Sequence, residues 1–504
     1  MENEIEIKLF VSADIEKTLD SLSKNQDVKL VSQSFNLENI YFDTQDKKLR
    51  FWDMGLRIRV NDQHIEQTIK TAGQVIGGLH QRPEYNVDIE TPEPQLALFP
   101  QQIWPEGTDV SVLQKQINPL FNTNFSRRGV MMIYPDGAVV EMVYDQGFIG
   151  AGDHKVEICE VELELVKGKP ELIFELAGQL AKQSPLRFGT KSKAARGYQL
   201  AKQTKDQVKS LTVVDICTKD SLETAYIKTV SHGLAHWQYH IEVFIDQQDF
   251  YALKEIRDAL QLIIKANELY QDYFHDNELK ALTKSIFWLM EQLAFIDDAL
   301  RIEKLLGNKG QAFKKLEHHK KILAMLSEQR DNLPQESDIV ALFNSERHTA
   351  LVSQLMQWLY FKPWQQQPLP TLEKFQQQSV KSQAKQFLAQ DWELVHKTLP
   401  YESTLTYQDY LAQRLNLQHN MQVGVCVGNL FDSESQQRFR APWSDIAVGI
   451  DQLLQFEPIK QLLRAECLDD DGAIKSWLER KESSLIHAME QSRKSALKLT
   501  PYWL

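Results

Sequence analysis

The stretch EIEIKL (residues 4–9) sets the strongest constraint on what this chain can fold into. Charged and apolar residues alternate through it, and a period of two is typical of a β-strand whose two faces meet different surroundings. Glu4, Glu6 and Lys8 therefore share one face, while three aliphatic side chains take the other. Two carboxylates side by side repel each other unless a positive charge lies against them. The fold must supply that charge on the polar face of this strand.

The same alternation returns through the first part of the chain, to about residue 205. It marks GLRIRV (55–60), HIEQTIKT (64–71), EYNVDIE (84–90), AVVEMVYD (138–145) and EICEVELELV (157–166). Turn signals such as YPDG (134–137) and GAGD (150–153) separate some of these runs. Two stretches, 13–24 and 170–183, instead have the spacing of amphipathic helices. Many antiparallel strands with few helices predict a barrel or sandwich that carries helices on its flanks.

The pattern changes at about residue 220. From there apolar residues recur at helical spacing, and glycine and proline become sparse inside the long runs. We therefore predict an α+β protein with a strand-rich domain over 1–203, a linker over 204–219 and an all-α bundle over 220–504. A chain of 504 residues is long enough for two or more such domains.

Composition argues against several classes of protein. The formal net charge of −12 argues against a general nucleic-acid binder, because phosphate backbones are bound by basic surfaces. No apolar run approaches the roughly 18 residues of a membrane span, and the first residues lack the basic and apolar regions of a signal peptide. The four cysteines are scattered without a CxxC pair, which argues against a disulfide framework or a zinc site. We expect a cytoplasmic protein with no membrane or nucleic-acid partner.

Two further strands carry charges of one sign on one face. Glu160, Glu162 and Glu164 share a face in CEVELEL, and Arg57 and Arg59 share one in LRIRV. A strand with one wet face also alternates, but such a face usually mixes both charges with uncharged polar residues. Like charges on one face are costly unless each meets a ligand of opposite sign. Clustered carboxylates suit Mg²⁺ or Mn²⁺ and clustered guanidiniums suit phosphate oxygens, so together they predict a metal–polyphosphate site.

These residues lie in motifs that resemble the CYTH superfamily, the triphosphate tunnel metalloenzymes. Glu4-x-Glu6-x-Lys8 resembles the ExExK signature of that family. The motifs YFDT (41–44), GLRIR (55–59), TIKT (68–71), QRPEYN (81–86), DQG (145–147), EICEVELEL (157–165) and SKAARGY (192–198) follow in the family's order. The resemblance implies an eight-stranded antiparallel β-barrel that forms a tunnel with inward-pointing charges. It also implies hydrolysis or transfer at a triphosphate, with Mg²⁺ or Mn²⁺ as the cofactor.

The resemblance implies a role for each matching residue. Glu4 and Glu6 match metal ligands. Glu162 and Glu164 best resemble the second acidic cluster, and Glu160 belongs either to that cluster or to the rim. The phosphate-binding positions are matched by Lys8, Arg57, Arg59, Lys70, Arg82 and either Arg127 or Arg128. Lys193 and Arg196 would close the end of the tunnel, while Asp43 and Asp145 either support the metal ligands or form turns.

A CYTH domain followed by a long helical region resembles the CYTH–CHAD arrangement, and CHAD domains are associated with polyphosphate binding. The resemblance is to a diverged CHAD domain, because residues 249–263 lack the family's run of arginines and the chain after residue 210 holds more acids than bases. His232, His236 and His240 recur every four residues, and we favour a packing or surface role over a metal site. The basic stretch 309–321 is either a solvated helix face or a weak polyphosphate contact.

The function predicted from these residues is hydrolysis of inorganic triphosphate to pyrophosphate and phosphate inside the tunnel. Adenylate cyclase and thiamine triphosphatase activities are alternatives within the same superfamily. A non-catalytic polyphosphate- or nucleotide-binding protein is a further alternative, although the acidic positions of the metal site are present. The helical half is either a ligand-binding or a protein-interaction module.

Overall fold

The chain folds into two compact units. The computed structural model describes residues 2–504 apart from 13–14, 25–27, 62–63, 311–313, 315, 317, 367–368 and 466–471. The first unit, here called the barrel unit, contains Met1–Gln207 and Val340–Phe361. The second, the helical unit, contains Val208–Ile339 and Lys362–Leu504. The barrel unit therefore takes in a segment from the second half of the sequence.

A closed antiparallel barrel forms the centre of the barrel unit. The strands found among the described residues are β1 (Glu2–Val11), β2 (Lys29–Asp43), β3 (Gly55–Asn61), β4 (His64–Lys70), β5 (Gln74–Ile76), β6 (Leu79–Asp88), β7 (Asn118–Ile133), β8 (Val139–Ala151), β9 (His154–Lys167) and β10 (Leu186–Phe188). Eight of them pair in the order β1-β9-β8-β7-β2-β3-β4-β6, and β6 pairs back to β1. The short strands β5 and β10 add to β6 and β1. This arrangement confirms the predicted eight-stranded barrel.

Helices account for most of the remaining described chain, which confirms that a helical region follows the barrel. They are α1 (Glu16–Lys24), α2 (Lys48–Phe51), α3 (Val110–Gln116), α4 (Glu171–Gln183), α5 (Lys193–Ala201), α6 (Leu222–Gln247), α7 (Phe250–Leu269), α8 (Asp276–Gln292), α9 (Ile296–Gly310), α10 (His319–Asp331), α11 (Glu336–Phe343), α12 (Glu346–Phe361), α13 (Pro363–Gln366), α14 (Leu372–Gln377), α15 (Val380–Thr398), α16 (Tyr407–Ala412), α17 (Arg414–Val427), α18 (Ser433–Leu454), α19 (Glu457–Arg464) and α20 (Ala473–Ala496). In the described part of the chain, none of these helices combines the length and apolar character that crossing a membrane requires.

Strand alternation separates an apolar outer face of the barrel from a charged interior. On β1, Ile7 and Leu9 are fully buried on the outer face, where helix α4 packs against β1 and β9. The apolar side of α4, which includes Ile173 and Leu180, is buried as well. Burying one such side chain contributes about 1.5–3 kcal/mol, so this outer layer fixes which face of β1 points inward.

Helix α12 comes from the second half of the sequence and packs within the barrel unit. It contacts α4 and β10, and its buried face includes Leu351, Leu355 and Leu359. The Thr349 hydroxyl donates a hydrogen bond to the carbonyl of Leu186 at 2.8 Å. Amphipathic spacing predicts such a helix but does not say which unit it covers.

The helical unit begins with an extended segment, residues 208–216, that packs on its helices. Val214 and Ile216 are each 1% exposed, and the N–H of Val214 donates to the carbonyl of Val425 at 3.0 Å. Helices α6 and α7 follow and pack extensively against each other. Helix α6 begins at a serine N-cap, because the Ser221 hydroxyl accepts a hydrogen bond from the N–H of Thr224.

Candidate active site

A cavity of about 490 Å³ lies inside the barrel. The charged face of each strand lines it, because inward and outward side chains alternate along a barrel strand. Of the residues predicted from the sequence, those that line it are Glu4, Glu6, Lys8, Arg57, Arg59, Lys70, Arg82, Arg127, Glu162, Glu164 and Lys193. Further lining residues include Tyr41, Thr68, His80, Glu84, Asn86 and Glu141. The fold thus brings acidic and basic candidates into one cavity.

Two buried lysines are held by the same carboxylates. Lys8 Nζ donates to Glu160 Oε1 at 2.8 Å and also contacts Glu162. Lys193 Nζ, on the first residue of α5, lies 3.0 Å from Glu162 Oε1 and 2.7 Å from Asp145 Oδ2. It also contacts Glu160. Although burial opposes it, this pairing raises the pKa of both lysines and lowers the pKa of the three carboxyls.

Two arginines complete the neutralisation of these carboxylates. Arg127 pairs with Asp145 through two N···O contacts of 2.7 Å and reaches Glu162 Oε2 at 3.0 Å. Arg196 Nη1 donates to Glu160 Oε2 at 3.1 Å. Asp145, Glu160 and Glu162 offer oxygens within 4.8 Å of one another, which is close enough for a metal ion. Since four cations already lie against them, we call these three residues the cation-bound carboxylates.

A second group of carboxylates extends across three neighbouring strands. Glu6 of β1 lies directly opposite Glu164 of β9, which lies directly opposite Glu141 of β8. Directly opposed side chains in a sheet have Cβ atoms about 4.5–5.5 Å apart. Glu4 precedes Glu6 by two residues and also lines the cavity. We call Glu4, Glu6, Glu141 and Glu164 the four-carboxylate cluster.

Burial and like charge destabilise the ionised forms of two members of the four-carboxylate cluster, Glu164 and Glu4. Burial, followed by the charges of Glu141 and Glu6, raises the pKa of Glu164 to about 7. Burial, followed by the charge of Glu6, raises the pKa of Glu4 to about 8. Ionised carboxylates in this position would be stabilised by a cation beside them. The pKa values of Glu164 and Glu4 are thus raised, although Lys70 lies beside Glu4, whereas those of the cation-bound carboxylates are lowered.

Glu84 of β6 holds two of the predicted phosphate-binding residues. Its carboxylate lies 3.3 Å from Arg57 Nη2 and 3.0 Å from Lys70 Nζ. Lys70 also contacts Glu4. Although burial opposes the effect, Arg57 and Lys70 lower the pKa of Glu84 to about 2. Glu84 therefore stays ionised and keeps both cations at the wall of the cavity.

Arg59 and Arg82 retain hydrogen-bonding capacity for an anion. Arg59 Nε donates to Asn39 Oδ1 at 3.0 Å. Burial and the like charges of Arg57 and Arg127 lower its pKa to about 10. Arg82 Nε is buried and, among the described residues, has no hydrogen-bond partner. Because buried donors are normally satisfied, phosphate oxygens would suit both guanidinium groups.

The structure separates Arg127 from its neighbour Arg128. Arg127 lies opposite Asp145 in the pairing of β7 with β8 and points into the cavity. Arg128 takes the other face of β7 and contacts Asp20 of α1. Arg127 is therefore the inward residue of the two.

Asp43 lies at a turn and does not line the cavity. It is 2% exposed, and its carboxylate accepts hydrogen bonds from the N–H groups of Thr44, Leu49 and Arg50 at 2.7–3.0 Å. It also accepts one from the Tyr198 hydroxyl of α5 at 2.7 Å. Of the two alternatives for Asp43, this geometry favours the turn.

Sequence reasoning missed two acidic residues of the cavity, Glu84 and Glu141. Glu84 lies two residues after Arg82 on the same face of β6. Glu141 lies four residues before Asp145 on the same face of β8. Each lies on the same strand face as a predicted site residue. A period of two could therefore have identified both.

The three histidines of α6 make hydrogen bonds inside the helical unit. His236 Nε2 lies 3.0 Å from Glu255 Oε2. His232 contacts a backbone carbonyl of the extended segment at 3.0 Å, and His240 Nε2 accepts from the N–H of Lys209 at 3.3 Å. These contacts fit the predicted packing role. Of the basic stretch 309–321, residues 311–313, 315 and 317 lie outside the described residues, so polyphosphate binding there stays a prediction.

Residues 2–198 match the CYTH domain family and residues 228–453 match the CHAD domain family. The chain therefore has a CYTH domain followed by a CHAD domain, as the motifs of the first part and the long helical region after them predict. Among curated proteins, an inorganic triphosphatase of Haemophilus influenzae is 37% identical over 205 residues, which are 40% of this chain and 55% of that relative. The chain thus spans about half the length of that relative.

Two solved structures resemble separate parts of the chain. One is a Hippeastrum protein named as an adenylyl cyclase, which is described as having a dominant triphosphatase activity. The match covers 39% of this chain and 95% of the Hippeastrum chain, with 21% identity and a TM-score of 0.31. The CHAD domain of the plant Ricinus communis covers 59% of this chain and 99% of its own, with 14% identity and a TM-score of 0.44. Both scores are below 0.5, so the domain assignment rests on the family matches.

Proposed function

We propose that the barrel hydrolyses inorganic triphosphate to pyrophosphate and phosphate with Mg²⁺ or Mn²⁺ as its cofactor. The observation that carries the proposal is that one cavity contains both the four-carboxylate cluster and a set of buried cations. A polyanion that carries a divalent metal ion requires both kinds of group. The similarity of the barrel half to an inorganic triphosphatase supports the same class of substrate.

The four-carboxylate cluster fits a divalent metal ion. Its donors are carboxylate oxygens, the ligands that Mg²⁺ and Mn²⁺ prefer. Glu6, Glu164 and Glu141 face each other on adjacent strands, and Glu4 lies beside them. A bound ion would polarise the phosphoryl group that is transferred and neutralise part of the charge of the substrate. The cation-bound carboxylates are a poorer fit, because two lysines and two arginines already lie against their oxygens, whereas the four-carboxylate cluster is contacted by Lys70 through Glu4.

The basic residues would bind and orient the triphosphate. Arg59 and Arg82 have guanidinium donors available for phosphate oxygens, and Arg57 and Lys70 are fixed at the wall by Glu84. Holding these groups in place before the substrate arrives avoids the cost of ordering them during the reaction. In this arrangement the chain would hold the anion for in-line attack by water.

The cation-bound carboxylates would organise the rest of the phosphate site. They hold Lys8 and Lys193 at distances of 2.7–3.0 Å and pair with Arg127 and Arg196. A lysine fixed by two or three carboxylates keeps its charge and its position. Their role is thus to preorganise the cations that face the substrate.

The test is phosphate release by the purified full-length chain with Mg²⁺ or Mn²⁺. Tripolyphosphate, ATP, thiamine triphosphate and pyrophosphate are compared, with Glu6→Gln as the site variant. Glu157→Gln is the matched control, since Glu157 is an exposed glutamate on β9. We expect preference for tripolyphosphate, loss of activity in Glu6→Gln and full activity in Glu157→Gln. Preference for ATP or thiamine triphosphate would move the assignment to a related activity, and binding without hydrolysis would reject an enzyme.

A further inference from the structure

We infer that the segment Val340–Phe361 is a positioning element for the active site, acting on helix α5 and on the two cations, Lys193 and Arg196, that this helix carries. The segment lies in the second half of the sequence but belongs to the barrel unit. The inference rests on the proposed function of the barrel, because it assigns the segment an effect on substrate binding.

Hydrogen bonds attach the segment to β10. The N–H of Leu186 donates to the carbonyl of Asn344 at 3.0 Å, and the Thr349 hydroxyl donates to the carbonyl of Leu186 at 2.8 Å. Both backbone polar groups of one β10 residue are therefore bound by this segment. Arg187 Nη1 also donates to the side-chain oxygen of Asn344 at 3.3 Å. The segment thus holds a three-residue strand that pairs with the rest of the barrel through β1.

A short connection, residues 189–192, joins β10 to α5. The N–H of Gly189 donates to the carbonyl of Lys8 at 2.9 Å, and His80 Nε2 lies 3.0 Å from the carbonyl of Gly189. A Cβ at Gly189 would lie 3.1 Å from Cγ of Lys8, so the approach is tight. Ser192 then caps α5 by accepting a hydrogen bond from the N–H of Ala195. A displacement of β10 would therefore move the start of α5, where Lys193 lies.

A series of side-chain contacts also joins the segment to α5, in addition to the backbone connection. The guanidinium of Arg187 lies 5.0 Å from the centre of the Phe10 ring, and that of Arg196 lies 5.6 Å from it. Arg196 in turn donates to Glu160, one of the cation-bound carboxylates. Asn344 is therefore linked to the active site through Arg187, Phe10 and Arg196. Such a contiguous network can transmit a shift between positions that do not touch.

Loosening this attachment should weaken substrate binding more than it slows the chemical step. Lys193, which lines the cavity, would bind phosphate oxygens in the ground state and in the transition state alike, and Arg196 would act through Glu160, which contacts Lys193. Removing such uniform binding raises KM and leaves kcat unchanged. A role limited to folding would lower stability without changing KM for the folded enzyme.

The test compares the double variant Asn344→Ala/Thr349→Val with Gln354→Ala, both in the full-length chain. The double variant removes two side-chain hydrogen bonds and leaves the main-chain carbonyl of residue 344 in place. Gln354 lies on the exposed side of α12, the helix that carries Thr349. We expect KM for tripolyphosphate to rise about fivefold or more in the double variant with kcat within about twofold. We also expect faster amide hydrogen exchange over residues 193–201, and no change in the control.

An unchanged KM together with unchanged exchange over 193–201 in a folded double variant would overturn the inference. A fall in kcat with KM unchanged would overturn it as well. Should the double variant fail to fold, Asn344→Ala alone, which breaks only the 3.3 Å hydrogen bond, gives the same comparison. If the unaltered chain does not hydrolyse tripolyphosphate, the proposed function fails. Tripolyphosphate binding and exchange over 193–201 then still test the role of the segment.

Discussion

Replacing Asp43 with asparagine should destabilise the barrel unit without removing a charge from the cavity. Asp43 Oδ1 accepts hydrogen bonds from the N–H groups of Thr44 and Leu49. Its Oδ2 accepts from the N–H of Arg50 and from the hydroxyl of Tyr198. Asparagine keeps one acceptor oxygen and places an NH₂ donor at the other position. Two of these four charge-assisted hydrogen bonds are therefore lost. Where the NH₂ group faces Tyr198, the hydroxyl can turn and accept, but the N–H of Arg50 still faces a donor.

The magnitude follows from the burial of this carboxylate. At 2% exposure, water cannot replace the lost acceptor. A hydrogen bond to a charged group contributes about 1.5–3 kcal/mol, so Asp43→Asn should lower the free energy of unfolding by about 3 kcal/mol or more. Tyr198→Phe, the matched control, removes a single donor and should cost about 1.5–3 kcal/mol. The double variant should lose less than the sum, because the two changes remove the same hydrogen bond.

The assay is urea-induced unfolding followed by hydrogen exchange in peptides of the barrel unit, because two units can unfold separately. The urea midpoint of these peptides should fall in Asp43→Asn and fall less in Tyr198→Phe. An unchanged midpoint combined with loss of metal-dependent hydrolysis would refute the reasoning. Asp43 would then support the metal ligands rather than the turn.

Three further predictions concern other parts of the chain. Burial lowers the pKa of His348 to about 3, against about 6.5 in an unfolded chain. The stability present above pH 6.5 is therefore lost as the pH falls, by about 2 kcal/mol at pH 5. In urea titrations, the loss of unfolding free energy between pH 7 and pH 5 should be smaller in His348→Gln than in the unaltered chain. An equal loss in the two proteins would contradict this prediction. Arg127→Ala should weaken tripolyphosphate binding about tenfold or more in calorimetry, and Arg128→Ala less than about twofold; the opposite order would reverse our assignment of the inward residue. Arg493→Met should lower the urea midpoint of the helical unit by the equivalent of about 2–4 kcal/mol, because Arg493 is 0% exposed and pairs with Glu490 at 2.8 Å. An unchanged midpoint would show that this pair does not stabilise the unit.

The charged faces of the barrel strands could be predicted because alternation is a local property. Glu4, Glu6 and Lys8 must share a face in any strand, whatever its neighbours are. The same holds for Arg57 and Arg59, which line the cavity as expected. The order of the motifs then predicts the barrel, and the helical spacing after about residue 220 predicts the helical region, which the family matches confirm.

The partners of these charges could not be predicted, because they depend on strand register. Glu164 meets Glu6 and Glu141 only through the pairing of three strands that are distant in sequence. A slip by one residue would have exchanged Arg127 for Arg128. The roles of the site residues, the boundaries at 203 and 220 and the cytoplasmic location stay predictions.

The place of α12 was also beyond the reach of the sequence. Its apolar residues recur at helical spacing like those of the neighbouring helices. Nothing in that spacing distinguishes a helix that packs on β10 and α4 from one that packs in a bundle. The hydrogen bond from Thr349 to Leu186 is what shows the difference.

The most direct test of the central claim is Mn²⁺ binding, measured by calorimetry and electron paramagnetic resonance on the unaltered chain, Glu164→Gln and Glu160→Gln. Our account assigns the metal to the four-carboxylate cluster and assigns Glu160 to the cations Lys8, Lys193 and Arg196. It predicts that Glu164→Gln weakens Mn²⁺ binding about tenfold or more, while Glu160→Gln leaves it within about twofold. Weakened Mn²⁺ binding in Glu160→Gln with unchanged binding in Glu164→Gln would contradict the account and move the metal to the cation-bound carboxylates.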